Sequence, residues 1–157
     1  GVSVVQIVGE FEDKLNAADL MLLIQKPETP VYVMAGGRHF WRVIDNLMNN
    51  ICKYAQPGTR VYVDLRENGG QVELIFRNTS RSPLNISSEE LMERFVRGDE
   101  SRNTEGSGLG ISIAKSLMEL MGGSFMLYVD GDLFKVVLGF AQIAEEKEPL
   151  NEDESGK

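Results

Sequence analysis

Val4, Ile7, Val8, Phe11 and Leu15 recur at the spacing that gathers apolar side chains on one side of a helix, which predicts a first helix over residues 3–16. Residues 20–25 and 31–34 are short apolar runs separated by Pro27 and Pro30 and read as strands. A long amphipathic helix is expected over 38–55, stopping before Pro57-Gly58. Residues 60–66 and 72–77 read as strands joined at Asn68-Gly69-Gly70, a hairpin signal. The stretch 78–110 is mostly polar and turn-rich, with a short helix at 88–96 that Ser87 and Glu90 would open as a capping box. A second long helix is expected from about Ser107 to Gly122-Gly123, a good C-terminal stop, and residues 125–129 and 133–140 close the pattern as a hairpin about Asp130-Gly131. The sum is an α/β (α+β) two-layer sandwich: a mixed, mostly antiparallel sheet with helices packed on one face.

Composition narrows the function. With 157 residues the chain fits one domain, assigned to 1–142, and a tail over 143–157. The tail carries Glu145, Glu146, Glu148, Glu152, Asp153 and Glu154, has little to bury, and is expected to be disordered. The net charge of −8 argues against nucleic acid as a partner, because phosphates demand a basic face. The lone Cys52 cannot form an internal disulfide, which points to the cytosol, and its apolar stripe predicts a buried core thiol. No stretch approaches the ~18 apolar residues of a membrane span, so no direct membrane contact is expected of this domain. The chain opens inside an amphipathic pattern without a signal peptide, as a piece of a longer protein would.

Two elements carry candidate chemistry. On a wheel of the 38–55 helix, Phe40, Trp41, Ile44, Leu47, Met48, Ile51, Cys52 and Ala55 fill one broad arc that should face the sheet. Asn46, Asn50 and Lys53 line up on the other side. Such a stripe is either the solvated side of the helix or a site. Asn is a poor helix former, about half a kcal/mol below Ala, and Asn46, Asn49 and Asn50 are three of them, which favours amides kept for use. The second element is Gly106-Ser107-Gly108-Leu109-Gly110 at the start of the next helix, where free N–H groups and the helix dipole suit a phosphate. A flexible surface loop explains those glycines as well. A P-loop is excluded because no Gly-Lys-Ser/Thr ends the run, and a dinucleotide fold because the glycines do not follow a strand.

Taken together and in order, these stretches resemble a known family. Residues 41–54, with Asn46, a second Asn at 50 and then Lys53-Tyr54, resemble the N box of sensor histidine kinases. The run 91–99, with Phe95, Arg97 and Gly98, resembles their F box, and Gly106 to Gly110 their G2 box. The resemblance spans about residues 40–123 and extends through the flanking strands to about 140. It implies the Bergerat-type fold shared with Hsp90, DNA gyrase and MutL, and the ATP-binding catalytic domain of a two-component kinase using ATP and Mg²⁺.

The resemblance also implies roles. Asn46 would be the catalytic-position residue and Asn50 the Mg²⁺ ligand. Lys53 would touch phosphate oxygens, and Tyr54 would pack beside adenine or ribose. Phe95 would anchor a lid over 96–105, with Arg97 or Arg102 reaching phosphate. Gly106, Ser107, Gly108, Leu109 and Gly110 would surround the phosphates. One box departs from the family pattern: where Asp-x-Gly-x-Gly is usual, the chain reads Asn78-Thr79-Ser80-Arg81-Ser82, so Asn78 would meet adenine as a neutral acceptor. Gly36 stands where an acidic helix cap is usual.

Asn46 separates branches of the superfamily. ATP-hydrolysing relatives place a glutamate there, and an amide is a poor general base. A kinase that phosphorylates neutral imidazole needs less help. His39, the sole histidine, lacks the acidic neighbour of the family's acceptor and is expected to be a helix-start surface residue. The acceptor would lie on an upstream dimerisation segment, in a full-length homodimer, this fragment itself being monomeric. A response-regulator receiver domain would be the downstream partner, and the whole a membrane-anchored bacterial sensor with this domain in the cytoplasm. The alternatives are a partner-binding pseudokinase of the same fold and an anti-sigma-factor serine kinase.

Overall fold

The computed structural model describes residues 2–33, 36–97 and 109–141. The element order is β1 (Val2–Ser3), α1 (Val4–Gly9), α2 (Glu12–Ala17), β2 (Met21–Gln25), β3 (Tyr32–Val33), α3 (Gly37–Tyr54), β4 (Arg60–Asn68), β5 (Gln71–Thr79), α4 (Ser88–Arg97), α5 (Leu109–Leu120), β6 (Ser124–Asp130) and β7 (Leu133–Ala141). Five strands form one sheet in the order β2-β4-β5-β7-β6, with β2 parallel to β4 and every other pair antiparallel. β1 and β3 form a separate antiparallel pair.

Strand alternation sends Val61, Val63, Leu65, Leu74, Phe76, Val136 and Leu138 into one core beneath the helices. Phe40 of α3 meets Phe140 of β7 edge to face at 5.1 Å, which seats α3 across the central strands. The opposite sheet face is more polar. There the carboxylate of Asp64, 3% exposed, takes Arg77 at 3.1 Å and Arg66 at 3.4 Å.

The expected first helix is two. α1 ends at Gly9 and α2 begins at Glu12, because Phe11 turns inward at the break and stacks on Trp41 at 5.3 Å. The Trp41 indole N–H donates to Glu10 at 3.1 Å across the same junction. Trp41 was expected toward the sheet. It is instead 41% exposed, its ring covering this turn.

Both α2 and α5 end in the same reversal. After α5, Gly122 N–H donates to Glu119 O and Gly123 N–H to Met118 O, with Gly122 at φ 81°. After α2, Asp19 N–H donates to Asn16 O and Leu20 N–H to Leu15 O, with Asp19 itself at φ 63°. Leu15 and Leu20 bury together as the apolar contact of that motif.

The expected 31–34 strand is limited to Tyr32–Val33, and Met34 lies outside the described residues. Ser87 caps α4 as expected, its Oγ accepting from Glu90 N–H at 3.0 Å. The Glu90 carboxylate turns forward to Arg94 at 3.6 Å. Residues 98–108, which hold most of the expected lid and glycine loop, and the tail from 142 lie outside the described residues.

Candidate functional site

Helical periodicity sets Val43, Asn46, Leu47, Asn50 and Tyr54 along one side of α3. Asn46 and Asn50 were expected, with Lys53, on the side away from the core, and Leu47 toward the sheet. In the folded chain α5 packs along α3, Val43 and Leu47 are buried, and Asn50 is only 6% exposed. The stripe is therefore an inter-helix seam, not a solvated face. At its upper end Asn46 abuts the first turn of α5: a methyl placed on Gly110 would stand 3.6 Å from Asn46 Oδ1.

At the other end of the stripe a cavity of ≈ 360 Å³ opens between α3, the end of β5, loop 80–86 and α4. It brings together Asn50, Tyr54, Asn78 and Phe95, four of the residues named from the sequence. Its floor is apolar, with Leu91, Phe95 and Phe134, the two rings meeting at 90° with centroids 6.4 Å apart. Asn78 is 5% exposed and is held in register by β5, opposite Phe134 of β7.

The wall formed by loop 80–86 lacks the family's glycines and does not need their conformational freedom. Among the described residues the sole non-glycine with positive φ is Asp19, so Ser80 and Ser82 sit in ordinary backbone. The loop is clamped from both sides. Arg81 N–H donates to Tyr54 O at 2.8 Å, tying it to the end of α3. Ser80 N–H donates to Asp132 O at 2.7 Å and Leu84 N–H to Gly131 O at 3.1 Å, tying it to the β6–β7 hairpin. Gly131, at φ 62°, makes the tight turn that presents both carbonyls.

Among the described residues, three polar groups around this seam have no hydrogen-bond partner although their atoms are buried: Asn46 Nδ2, Asn50 Nδ2 and the Tyr54 hydroxyl. Each unmet group costs about 1–3 kcal/mol, so a fold under no other demand would replace them. They converge on one cavity and on the start of one helix. Such unmet groups mark a candidate polar ligand site.

Lys53 holds its ammonium 5.3 Å from the Tyr54 ring centroid and does not line the cavity. Arg97 ends α4 and Leu109 opens α5. Arg102, Gly106, Ser107 and Gly108 lie outside the described residues. His39 is exposed in the first turn of α3, and Gly36 is its N-cap without a side-chain bond. Cys52 was expected in the core and is half-buried, its thiol 3.8 Å from Lys14 O. Burial pushes that thiol above its ordinary pKa, partly opposed by the Lys14 charge. The sequence reading missed Arg94, which lines the cavity, and the loop residues from Ser80 to Ile86. Only the position of Arg94 beside Phe95 in the F-box-like run could have pointed to it.

Residues 36–149 match the family described as "Histidine kinase-, DNA gyrase B-, and HSP90-like ATPase". The chain belongs to that family. Among curated proteins it is 36% identical over 101 residues to the probable sensor protein PcoS of Escherichia coli, covering 62% of this chain and 22% of that protein. It is 29% identical over 115 residues to the sensor histidine kinase YcbM of Bacillus subtilis, covering 72% of this chain and 37% of the relative. The chain thus spans well under half the length of these relatives. Its fold is that of the catalytic domain of the histidine kinase ThkA, with a TM-score of 0.74 at 18% identity over 90% of this chain and 93% of the other. The expected family and Bergerat-type fold are borne out, and membership of an ATPase family implies a nucleotide ligand.

Proposed function

We propose that this chain is the ATP-binding catalytic domain of a two-component sensor histidine kinase, passing the γ-phosphate of Mg·ATP to a histidine on an upstream dimerisation segment. The observation that carries the reading is the cavity into which α3 and β5 aim Asn50, Tyr54 and Asn78, with the first and second holding unpartnered buried atoms. Adenine would lie on Phe95 and Phe134 with its edge toward Asn78, and Tyr54 would flank it. The triphosphate would run along the seam toward Asn46 and the α5 start, where Gly106 to Gly110 would offer main-chain N–H groups. Lys53, with Arg97 or Arg102, would meet phosphate oxygens from outside.

Among the described residues no group of three His, Cys, Asp or Glu could hold a metal by itself. A Mg²⁺ carried by the nucleotide suits the buried Asn50 amide instead, since Mg²⁺ takes few protein ligands and shares its shell with phosphates and water. When bound, it would neutralise charge building on the transferring phosphoryl group. The chain's own part is to hold the nucleotide along the seam. Asn46, an amide with no basicity, leaves the nucleophile to supply its own reactivity, which fits transfer to imidazole better than water activation.

Among the described residues no helix is long and apolar enough to cross a membrane. Membrane anchoring, homodimerisation and a response-regulator receiver partner would belong to the whole protein. A second reading, a nucleotide-binding module without phosphotransfer, is favoured by Asn78, Ser80 and Ser82 standing where the family carries Asp and glycines.

The test is radiolabelled phosphotransfer. With γ-labelled ATP and Mg²⁺ this chain should leave His39 unlabelled and should place acid-labile phosphate on a separately supplied dimerisation segment of its own kinase. Label on His39 would overturn the assignment of the acceptor. Tight Mg·ATP binding without any transfer would favour the second reading.

A further inference from the structure

Resting on the reading of this cavity as a nucleotide site, we propose that it accepts 6-oxopurine nucleoside triphosphates, such as GTP and ITP, as well as ATP. The wall that would face the base sets this choice. Asn78 lines the cavity from β5, Ser80 follows two residues on, and the Tyr54 hydroxyl is buried there without a partner. Among the described lining residues there is no carboxylate, in a chain with 24 Asp and Glu.

The Watson–Crick edge of adenine offers a donor at its 6-amino group and an acceptor at N1. A 6-oxopurine offers the reverse: an acceptor at O6 and a donor at N1. A carboxylate accepts only, so in one fixed pose O6 before it would set two acceptors face to face. An amide carries one donor and one acceptor, and a half-turn about its terminal torsion exchanges them. Turned one way, Asn78 Oδ1 accepts from the 6-amino group while Nδ2 donates to N1, the same donor–acceptor matching by which an Asn pairs with the N6/N7 edge of adenine. Turned the other way, Nδ2 donates to O6 and Oδ1 accepts from N1–H.

Ser80 Oγ accepts from Ser82 N–H at 3.3 Å and the Tyr54 hydroxyl has no partner among the described residues, so both keep an O–H that can turn to suit either pattern. The backbone that carries them does not have to move, because Asn78 is fixed opposite Phe134 and loop 80–86 is clamped to Tyr54, Gly131 and Asp132. Sites discriminate by about 10⁴ or more when the wrong ligand leaves a buried polar group unpaired. Here neither purine does so, and the two affinities should lie within about tenfold, the scale of one neutral hydrogen bond.

Calorimetric titration of the chain with Mg·ATP, Mg·GTP, Mg·ITP and Mg·CTP tests this. The expected result is ATP, GTP and ITP within about tenfold of one another and CTP much weaker. ITP, which lacks the 2-amino group, isolates the contribution of O6 and N1. In Asn78→Asp the preference should move toward ATP by tenfold or more, as O6 meets a carboxylate. Wild-type binding of ATP with GTP and ITP both a hundredfold weaker overturns the proposal and leaves the nucleotide site standing. Binding of none of the four overturns both. An Asn78→Asp variant that folds with an unchanged ATP to GTP ratio also overturns it, since Asn78 would then not read the base.

Discussion

If Asn50 is kept for a ligand and not for the fold, replacing it with an apolar side chain of similar size should make the protein more stable. Asn50 lies mid-helix in α3, 6% exposed, with Nδ2 buried and unpartnered. Leaving such an amide unmet costs about 1–3 kcal/mol. Leu is better than Asn in a helix interior by roughly half a kcal/mol. Against this, Leu, of equal length but with bulkier methyls on a tetrahedral Cγ, must fit beside Tyr54 at the cavity mouth, at a crowding cost of about 1 kcal/mol. Asn50→Leu should therefore gain about 1–2 kcal/mol, or roughly 3–6 °C in Tm for a domain of this size. Urea unfolding followed by circular dichroism should show a higher midpoint with an unchanged slope. Calorimetry on the same sample should show Mg·ATP binding lost. A lower midpoint would refute the reasoning, because the amide would then be doing structural work in the α3–α5 seam. A higher midpoint with ATP affinity intact would keep the energetics and remove Asn50 from the site.

Asp19→Gly should stabilise the chain by about 0.5–1 kcal/mol, since Asp19 holds φ 63° in a reversal that α5 makes with Gly122, and a lower urea midpoint would contradict this. Gly123→Ala should cost about 2 kcal/mol or more: its methyl would lie 2.5 Å from Gly139 O and 2.7 Å from Met118 Cε, and a melting point within a degree of wild type would show that β6 and α5 can part there. Because burial raises the Cys52 pKa, its thiolate fraction at neutral pH is small, so maleimide alkylation should be slow at pH 7 and still rising above pH ~8.5. Lys14→Gln should slow it further by removing the opposing charge, and a rate that plateaus below that pH would refute the shift.

Local signals were legible without the fold. Gly122-Gly123 stops α5, Ser87 caps α4, and the turns at 68–70 and 130–131 close their hairpins, because each depends on backbone preferences within a few residues. The apolar periods of α3 and α5 were equally plain, and family membership followed from motif order within one stretch of chain. Other features belong to tertiary structure alone. The break between α1 and α2 arises because Phe11 finds Trp41, thirty residues away, and no propensity near Gly9 encodes that contact. Parallel pairing of β2 with β4 depends on α3 crossing between them.

The amide stripe shows the limit most clearly. A helical wheel separates the two sides of α3 but cannot say what covers the polar one, and only the docking of α5 turned Asn46 and Asn50 from surface into seam. Similarly, Asn78 looked like a lost carboxylate and Ser80 and Ser82 like lost glycines. The β6–β7 hairpin, some fifty residues later, clamps that loop in ordinary backbone and keeps the cavity open. Burial and loop anchoring are set by residues distant along the chain, whereas turns and helix ends are set by their neighbours.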